Sequence, residues 1–167
     1  MFKKITVVKY VIAISFLSLL SCKNSKPSRL LSNEKSVKKQ INEVLDHWHK
    51  AAAEADFKTY FDLLADDAVF VGTDSSEVWH KQSFIQFAKP YFDKGKAWNF
   101  KKIKRQVYLS TDFKTAWFDE TLDTWMGVCR GSGVLQKTGS TWRIKHYVLS
   151  LTVPNNKMQK VIKVIQN

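Results

Sequence analysis

Hydrophobic positions along this chain first recur with a helical period and later alternate. From Ser36 to Ala53, Val37, Ile41, Val44, Leu45, Trp48 and Ala52 line one face, with Lys38, Lys39, Glu43 and Asp46 opposite, which predicts an amphipathic helix. Asp56 to about Leu64 predicts a second, short helix capped by Asp56, with Phe57, Tyr60, Phe61 and Leu64 inward. Ala68 to Gly72 reads as a short strand followed by the polar turn TDSSE, and Val78-Trp79 as a brief extended piece. Lys81 to Asp93 returns to helical spacing through Phe84, Phe87, Ala88 and Tyr91; Pro90 is expected to kink the helix or end its regular ladder near Phe87, and Gly95 to close it.

Beyond Gly95 the period becomes two. Strands are expected at Ala97–Leu109, Thr115–Val128, Arg130–Lys137 and Thr141–Val153, the last two joined by the turn Thr138-Gly139-Ser140. Pro154 stops the last strand, and Asn155 or Asn156 caps a short terminal helix with Met158, Val161, Ile162 and Ile165 on one face. Helices followed by a run of long strands imply an α+β fold, an antiparallel sheet with helices gathered on one face. A twisted sheet curled around helices leaves a concave space at its open end.

The first residues stand apart from this globule. A basic start, MFKK, precedes a largely apolar run from Ile5 to Leu20 that ends in Leu19-Leu20-Ser21-Cys22. The run is about the length of a signal-peptide core and short for a membrane span, and its end resembles a bacterial lipobox. The resemblance implies a signal peptide over 1–21, cleavage before Cys22 and lipidation of that cysteine, so that acyl chains anchor the protein to a membrane it does not span. Lys23 after the cysteine points to the outer rather than the inner membrane of a bacterial envelope, facing periplasm or exterior. Residues 22–35, polar with Pro27 and several serines, read as a flexible tether, leaving 36–167 as the domain.

Charge adds little. Loss of Lys3, Lys4 and Lys9 with the signal would take the net charge from +12 to +9. The lysines are scattered singly, as on a solvated basic surface, and an extracytoplasmic address argues against a nucleic-acid partner. With Cys22 lipidated, only Cys129 remains and no internal disulfide can form; Cys129 is expected as a small buried hydrophobe. His47 and His49, two apart on a helix, do not share a face, and His80 and His146 are isolated, so no metal site is expected. The glycines of RGSG sit in a strand and make no phosphate cradle. No cofactor is implied.

Candidate chemistry lies in the strands. On the last strand Trp142, Ile144, His146 and Val148 share one face, and Arg143, Lys145 and Tyr147 the other. His146 is a candidate general acid or base, or a hydrogen-bonded core histidine. The triplet Phe118-Asp119-Glu120 puts its carboxylates on opposite faces, so at most one points inward, and parity alone does not say which. A buried carboxylate needs a partner, and Arg130 on the adjoining strand is the natural one, either orienting a ligand or forming a structural ion pair. Trp48, Trp79, Tyr91, Phe84 and Phe87 would line the helical side, as core or as platform for a flat apolar ligand.

The inward Trp48, the segments YFDLLADDAVFVGTD, AKPYF, AWFDE and RGSGVL, and TWRIKHYVLSL together resemble the SnoaL-like branch of the nuclear transport factor 2-like superfamily over about Val37 to Pro154. The resemblance implies a cone-shaped curved antiparallel sheet wrapped around N-terminal helices, a homodimer packed through the sheet, and the Trp142–Ile144–His146 face turned into the cone. Family members include isomerases, cyclases, dehydratases and non-enzymatic domains. The expectations are therefore three: a domain binding a small, largely apolar molecule, with Trp48, Trp79, Tyr91, Trp142, Ile144 and Arg130 as ligand residues; an enzyme using His146, Asp119 or Glu120 as general base; or a dimeric scaffold.

Overall fold

The computed structural model describes residues 26–166. The signal sequence and Cys22 lie outside the described residues. Contacts divide the chain between Asn33 and Glu34, and the larger unit is Glu34–Asn167.

Helix α1 runs from Lys26 to Ala53. It begins ten residues before the expected Ser36, within the stretch read as tether. Polarity suggested an unstructured segment there, but a polar run can be helical, and the Lys38–Glu34 pair at 2.7 Å links successive turns. Burial begins at Val37 and continues through Ile41, Leu45, Trp48 and Ala52, the expected apolar face.

Helix α2 (Phe57–Asp62) is capped by Asp56, whose carboxylate accepts from the Thr59 N–H at 3.0 Å. Strand β1 (Leu64–Val71) takes in Leu64, expected in the helix, and the Asp66-Asp67 break; β2 is Val78–His80. Helix α3 has the expected bounds, Lys81–Asp93, and continues through Pro90. Pro90 and Gln86, whose carbonyl would have received the missing N–H, are both exposed, so water can satisfy that carbonyl. Gly95, at φ +68°, closes the helix: its N–H reaches Phe92 O at 2.8 Å and the Lys96 N–H reaches Tyr91 O at 3.2 Å, the bonding pattern of a Schellman cap.

Strands β3 (Lys101–Leu109), β4 (Thr115–Thr124), β5 (Gly127–Thr138) and β6 (Thr141–Leu151) come next. The β4–β5 turn falls at Trp125-Met126, with Gly127 at φ +91°, earlier than the break expected near Cys129. Cys129 is buried in β5. A 3₁₀ turn (Asn155–Lys157) leads into α4 (Met158–Ile165), none of whose residues is buried.

The sheet order is β2-β1-β6-β5-β4-β3. All neighbours are antiparallel except β1 and β6, which run parallel. The result is the α+β architecture expected, a curved six-stranded sheet with a concave face filled from α1, α2 and α3. Lys81 Nζ ties α3 to β1, donating to Leu64 O and Asp66 Oδ1, both at 3.0 Å.

A one-residue irregularity in β6 decides which side chains face inward. Ile144 pairs with Leu135 and His146 with Val134, so Lys145 has no counterpart on β5. Such a bulge reverses the alternation beyond it. Trp142 and Ile144 are buried as expected, but past the bulge it is Tyr147 and Leu149 that are buried. His146, paired with the outward Val134, lies on the convex face with Val148. This corrects the expectation that His146 faces the cone and Tyr147 faces out.

Candidate functional site

Two chemically different regions occupy the concave side. One is a polar network between α1 and strands β3, β4 and β6, buried at Glu120 and exposed at Asp46. The other is an aromatic hollow at the end of the sheet marked by the β4–β5 turn.

The network centres on Glu120. In β4, Ala116, Phe118, Glu120 and Leu122 point inward and are buried, while Trp117, Asp119 and Asp123 are exposed. The open choice within the Asp119-Glu120 pair is thereby settled. Asp119 lies on the convex face, where the Tyr108 hydroxyl donates to it at 3.3 Å.

Glu120 finds partners on three elements. Arg105, directly opposite on β3, donates through Nε to Oε2 at 2.8 Å, with Nη2 at 2.7 Å from the same oxygen. His49 Nε2 lies 2.8 Å from Oε1, and because a carboxylate only accepts, Nε2 carries the hydrogen and donates. The Tyr147 hydroxyl donates to Oε1 at 3.3 Å. Arg105 extends the network through Nη1 to Asp46 Oδ1 at 2.7 Å, and Lys102 also donates to that carboxylate, at 2.7 and 2.8 Å.

Burial pushes the Glu120 carboxyl up, but the His49 hydrogen bond and charge, with Arg105, outweigh it and hold the group below its ordinary value. Tyr147 moves the other way: burial and then the adjacent Glu120 charge raise its phenol well above the usual range.

Arg130, expected as the carboxylate's partner, is exposed on the convex face opposite Thr121; that expectation is corrected. Three members of the network escape a reading of the sequence. Arg105 is the inward residue of the basic run KKIKR once a bulge at Ile103 resets the register. His49 belongs to a polar stripe, Asn42, Asp46 and His49, spaced by four and three along α1 beside the apolar face. Tyr147 is hidden by the Lys145 bulge.

The glycines of RGSG acquire a role here. A Cβ on Gly131 would lie 2.3 Å from the Tyr147 hydroxyl, and one on Gly133 would lie 2.9 Å from the Phe118 ring. The absent side chain at Gly131 lets Tyr147 lie across β5 and reach Glu120, and that at Gly133 leaves room for Phe118 and the His146 carbonyl.

The aromatic hollow has a volume of about 150 Å³. Phe70 and Leu149 come from the sheet, Phe84 and Phe87 from α3, Trp79 from β2, Trp98 and Phe100 from the segment before β3, and Trp125 and Met126 from the β4–β5 turn. Several rings lie nearly parallel: Phe70 on Phe84 at 4.2 Å and 17°, Trp79 on Phe87 at 4.5 Å and 24°, Phe84 on Trp98 at 5.8 Å and 22°. At the rim stand Thr73 and Glu77 of the β1–β2 turn. Deeper, where Tyr147 meets Phe70 and Phe84, the space is filled.

Of the residues expected to bind ligand, Trp79 lines this hollow. Trp48 is core, stacked on Tyr60 at 5.0 Å and edge-on to Tyr147 at 4.8 Å. Tyr91 is half exposed and touches Phe87 and Trp98 from outside. Ile144 is buried in the core. Trp142 borders a separate, open groove of about 410 Å³ between α1 and the β5–β6 turn, with Gln40, His47 and Arg143. The predicted set is thus dispersed. Among the described residues, no three His, Cys, Asp or Glu side chains converge as a metal site, and no helix is long and apolar enough to cross a membrane.

No curated protein matches the chain. Among solved structures, it is similar to an NTF2-like protein of unknown function from Pseudomonas putida (TM-score 0.61, 14% identity, 74% of this chain and 92% of that one). It is also similar to a candidate dehydratase of the NTF2-like family from Streptomyces avermitilis (TM-score 0.61, 16% identity, 73% and 99%). A third is a candidate aromatic ring hydroxylase from Novosphingobium aromaticivorans (TM-score 0.60, 14% identity, 71% and 91%). At these identities the likeness shows the fold alone. Residues 41–154, more than half of the chain, match the SnoaL-like domain, and with the NTF2-like architecture around them the chain belongs to that family.

Proposed function

We propose that this domain binds a small, largely apolar molecule of about one ring in the aromatic hollow. The observation that carries the reading is the hollow itself, walled by converging rings from five segments and left open at one end. A dry apolar cavity of roughly 150 Å³ holds one benzene-sized molecule, and flat rings favour a flat guest.

Binding fits the geometry better than general-base catalysis. His146 faces away from the concave side, and both Glu120 oxygens already accept hydrogen bonds inside the core. A carboxylate so saturated, and held ionised, braces the fold. The lipobox-like sequence at Cys22 supports a further part of the reading, that lipidation there holds the domain on a bacterial membrane, facing periplasm or exterior. On the convex face Tyr108, Trp117, Val134, His146 and Val69 form one cross-strand row, with Tyr108 stacked on Trp117 at 5.9 Å. This row favours a homodimer through the sheet.

The test is titration of the full-length protein with phenol, monitored by intrinsic fluorescence, alongside Trp125→Ala. Trp125 is 84% exposed, so its loss leaves thermal stability unchanged while weakening phenol binding about tenfold. Saturable binding that is indifferent to Trp125, or no binding, would overturn the reading.

A further inference from the structure

We infer that the ligand of the aromatic hollow is a compact organic cation, a quaternary or protonated amine, held by ring faces and by the Glu77 carboxylate. The inference rests on the proposal that the hollow is the binding site and names the chemical class of its guest.

Ring faces are negative at their centres, and a cation within about 6 Å of a ring centroid is attracted to them. Trp79, Trp98 and Trp125, the ring type that attracts most strongly, all line the hollow. A neutral apolar guest would gain from the same rings by burial alone, so rings by themselves do not decide between the two.

Glu77 decides it. Among the described residues it is the one charged side chain lining the hollow, in a protein with 27 basic against 15 acidic residues. Its Oε2 accepts the Asp74 N–H at 3.2 Å, and among the described residues no lysine, arginine or histidine pairs with it. The second carboxylate of this turn, Asp74, accepts from the Ser76 N–H and hydroxyl, so it also brings no positive charge to the rim. The backbone makes room for the carboxylate: a Cβ on Gly72 would lie 2.1 Å from Glu77 Oε2 and 2.9 Å from Glu77 Cβ. A side chain at position 72 would displace Glu77 from the rim. The hollow therefore joins a wall of electron-rich rings to an unpaired negative charge. An anionic guest is repelled by both, a neutral guest leaves the Glu77 charge uncompensated, and a cation with an apolar body engages both.

The experiment uses the full-length protein and its Glu77→Gln variant, which keeps an acceptor oxygen for the Asp74 N–H. Binding of choline, of its uncharged carbon isostere dimethylbutanol and of phenol is measured by calorimetry. The expected result is that choline binds at least about tenfold more tightly than dimethylbutanol, and that Glu77→Gln removes this preference while phenol still binds. Equal affinity for choline and its isostere, with no effect of the substitution, overturns the cationic guest and leaves the apolar site standing. So does phenol binding in the absence of choline binding. If none of the three binds, the cationic guest and the hollow as binding site both fall.

Discussion

Glu120 and Glu77 are two carboxylates on the same concave side with opposite surroundings. Glu120 is 1% exposed and has its oxygens taken up by Arg105, His49 and Tyr147. Glu77 stands at a rim beside open space with one backbone N–H as partner. A saturated, buried charge is an internal brace, since removing any member strands the others without water. An unsatisfied charge beside a hollow is a recognition element. The contrast teaches that burial and a shifted pKa do not by themselves mark a functional group; unused bonding capacity beside accessible space is the better guide.

The largest expected effect tests the braced end. Glu120→Ala leaves buried His49 without its acceptor and Arg105 with Asp46 and Asn42 alone, and should destabilise the fold by about 3–5 kcal/mol, measured by denaturant unfolding. A loss below about 1 kcal/mol would mean that the network contributes little.

Gly131→Ala should come next. Its Cβ would meet the Tyr147 hydroxyl and the Glu120 side chain, so a loss of about 1–3 kcal/mol is expected from overpacking. Phenol affinity should remain unchanged if brace and hollow are separate.

The acid limb of stability sharpens the comparison further. Glu120 titrates lower in the folded protein than its ordinary 4.5. Its contribution is then fully present above about pH 4.5 and is lost as pH falls through the folded value. Melting curves from about pH 7 to pH 3 should show the wild type losing more stability than Glu120→Gln in that window. Parallel curves would contradict the network as drawn.

His146→Ala and Arg130→Ala should have the smallest effects, within about 0.5 kcal/mol in unfolding and with no change in ligand affinity. A large loss of binding in either would restore the concave placement that unbroken strand parity gives His146, or the ligand role expected of Arg130.

That parity explains what was legible in the sequence. The helical face from Val37 to Ala52, the α3 face and the long alternating strands repeat often enough to specify an α+β sheet wrapped on helices. The site depended on single residues. One bulge at Lys145 exchanges His146 for Tyr147, and another at Ile103 brings Arg105 inward; a periodic pattern carries no mark of an inserted residue. Arg130 lies on the strand expected of the buried carboxylate's partner but faces the other way. The spacing of Asn42, Asp46 and His49 marks a polar stripe on α1, but nothing in it names a carboxylate across the core as the partner of His49. The hollow was only partly legible, because Trp98, Trp125 and Glu77 lie in turns and connections, whose placement depends on the assembled sheet.

The six tryptophans allow the most direct test. Indole N–H resonances of the full-length protein, assigned by single substitutions, would be monitored while phenol is added. Binding in the hollow predicts that Trp79, Trp98 and Trp125 shift together and saturably, while Trp48 in the core, Trp142 beside its groove and Trp117 on the convex face stay in place. Shifts confined to Trp142, or none at Trp79, Trp98 and Trp125, would contradict it.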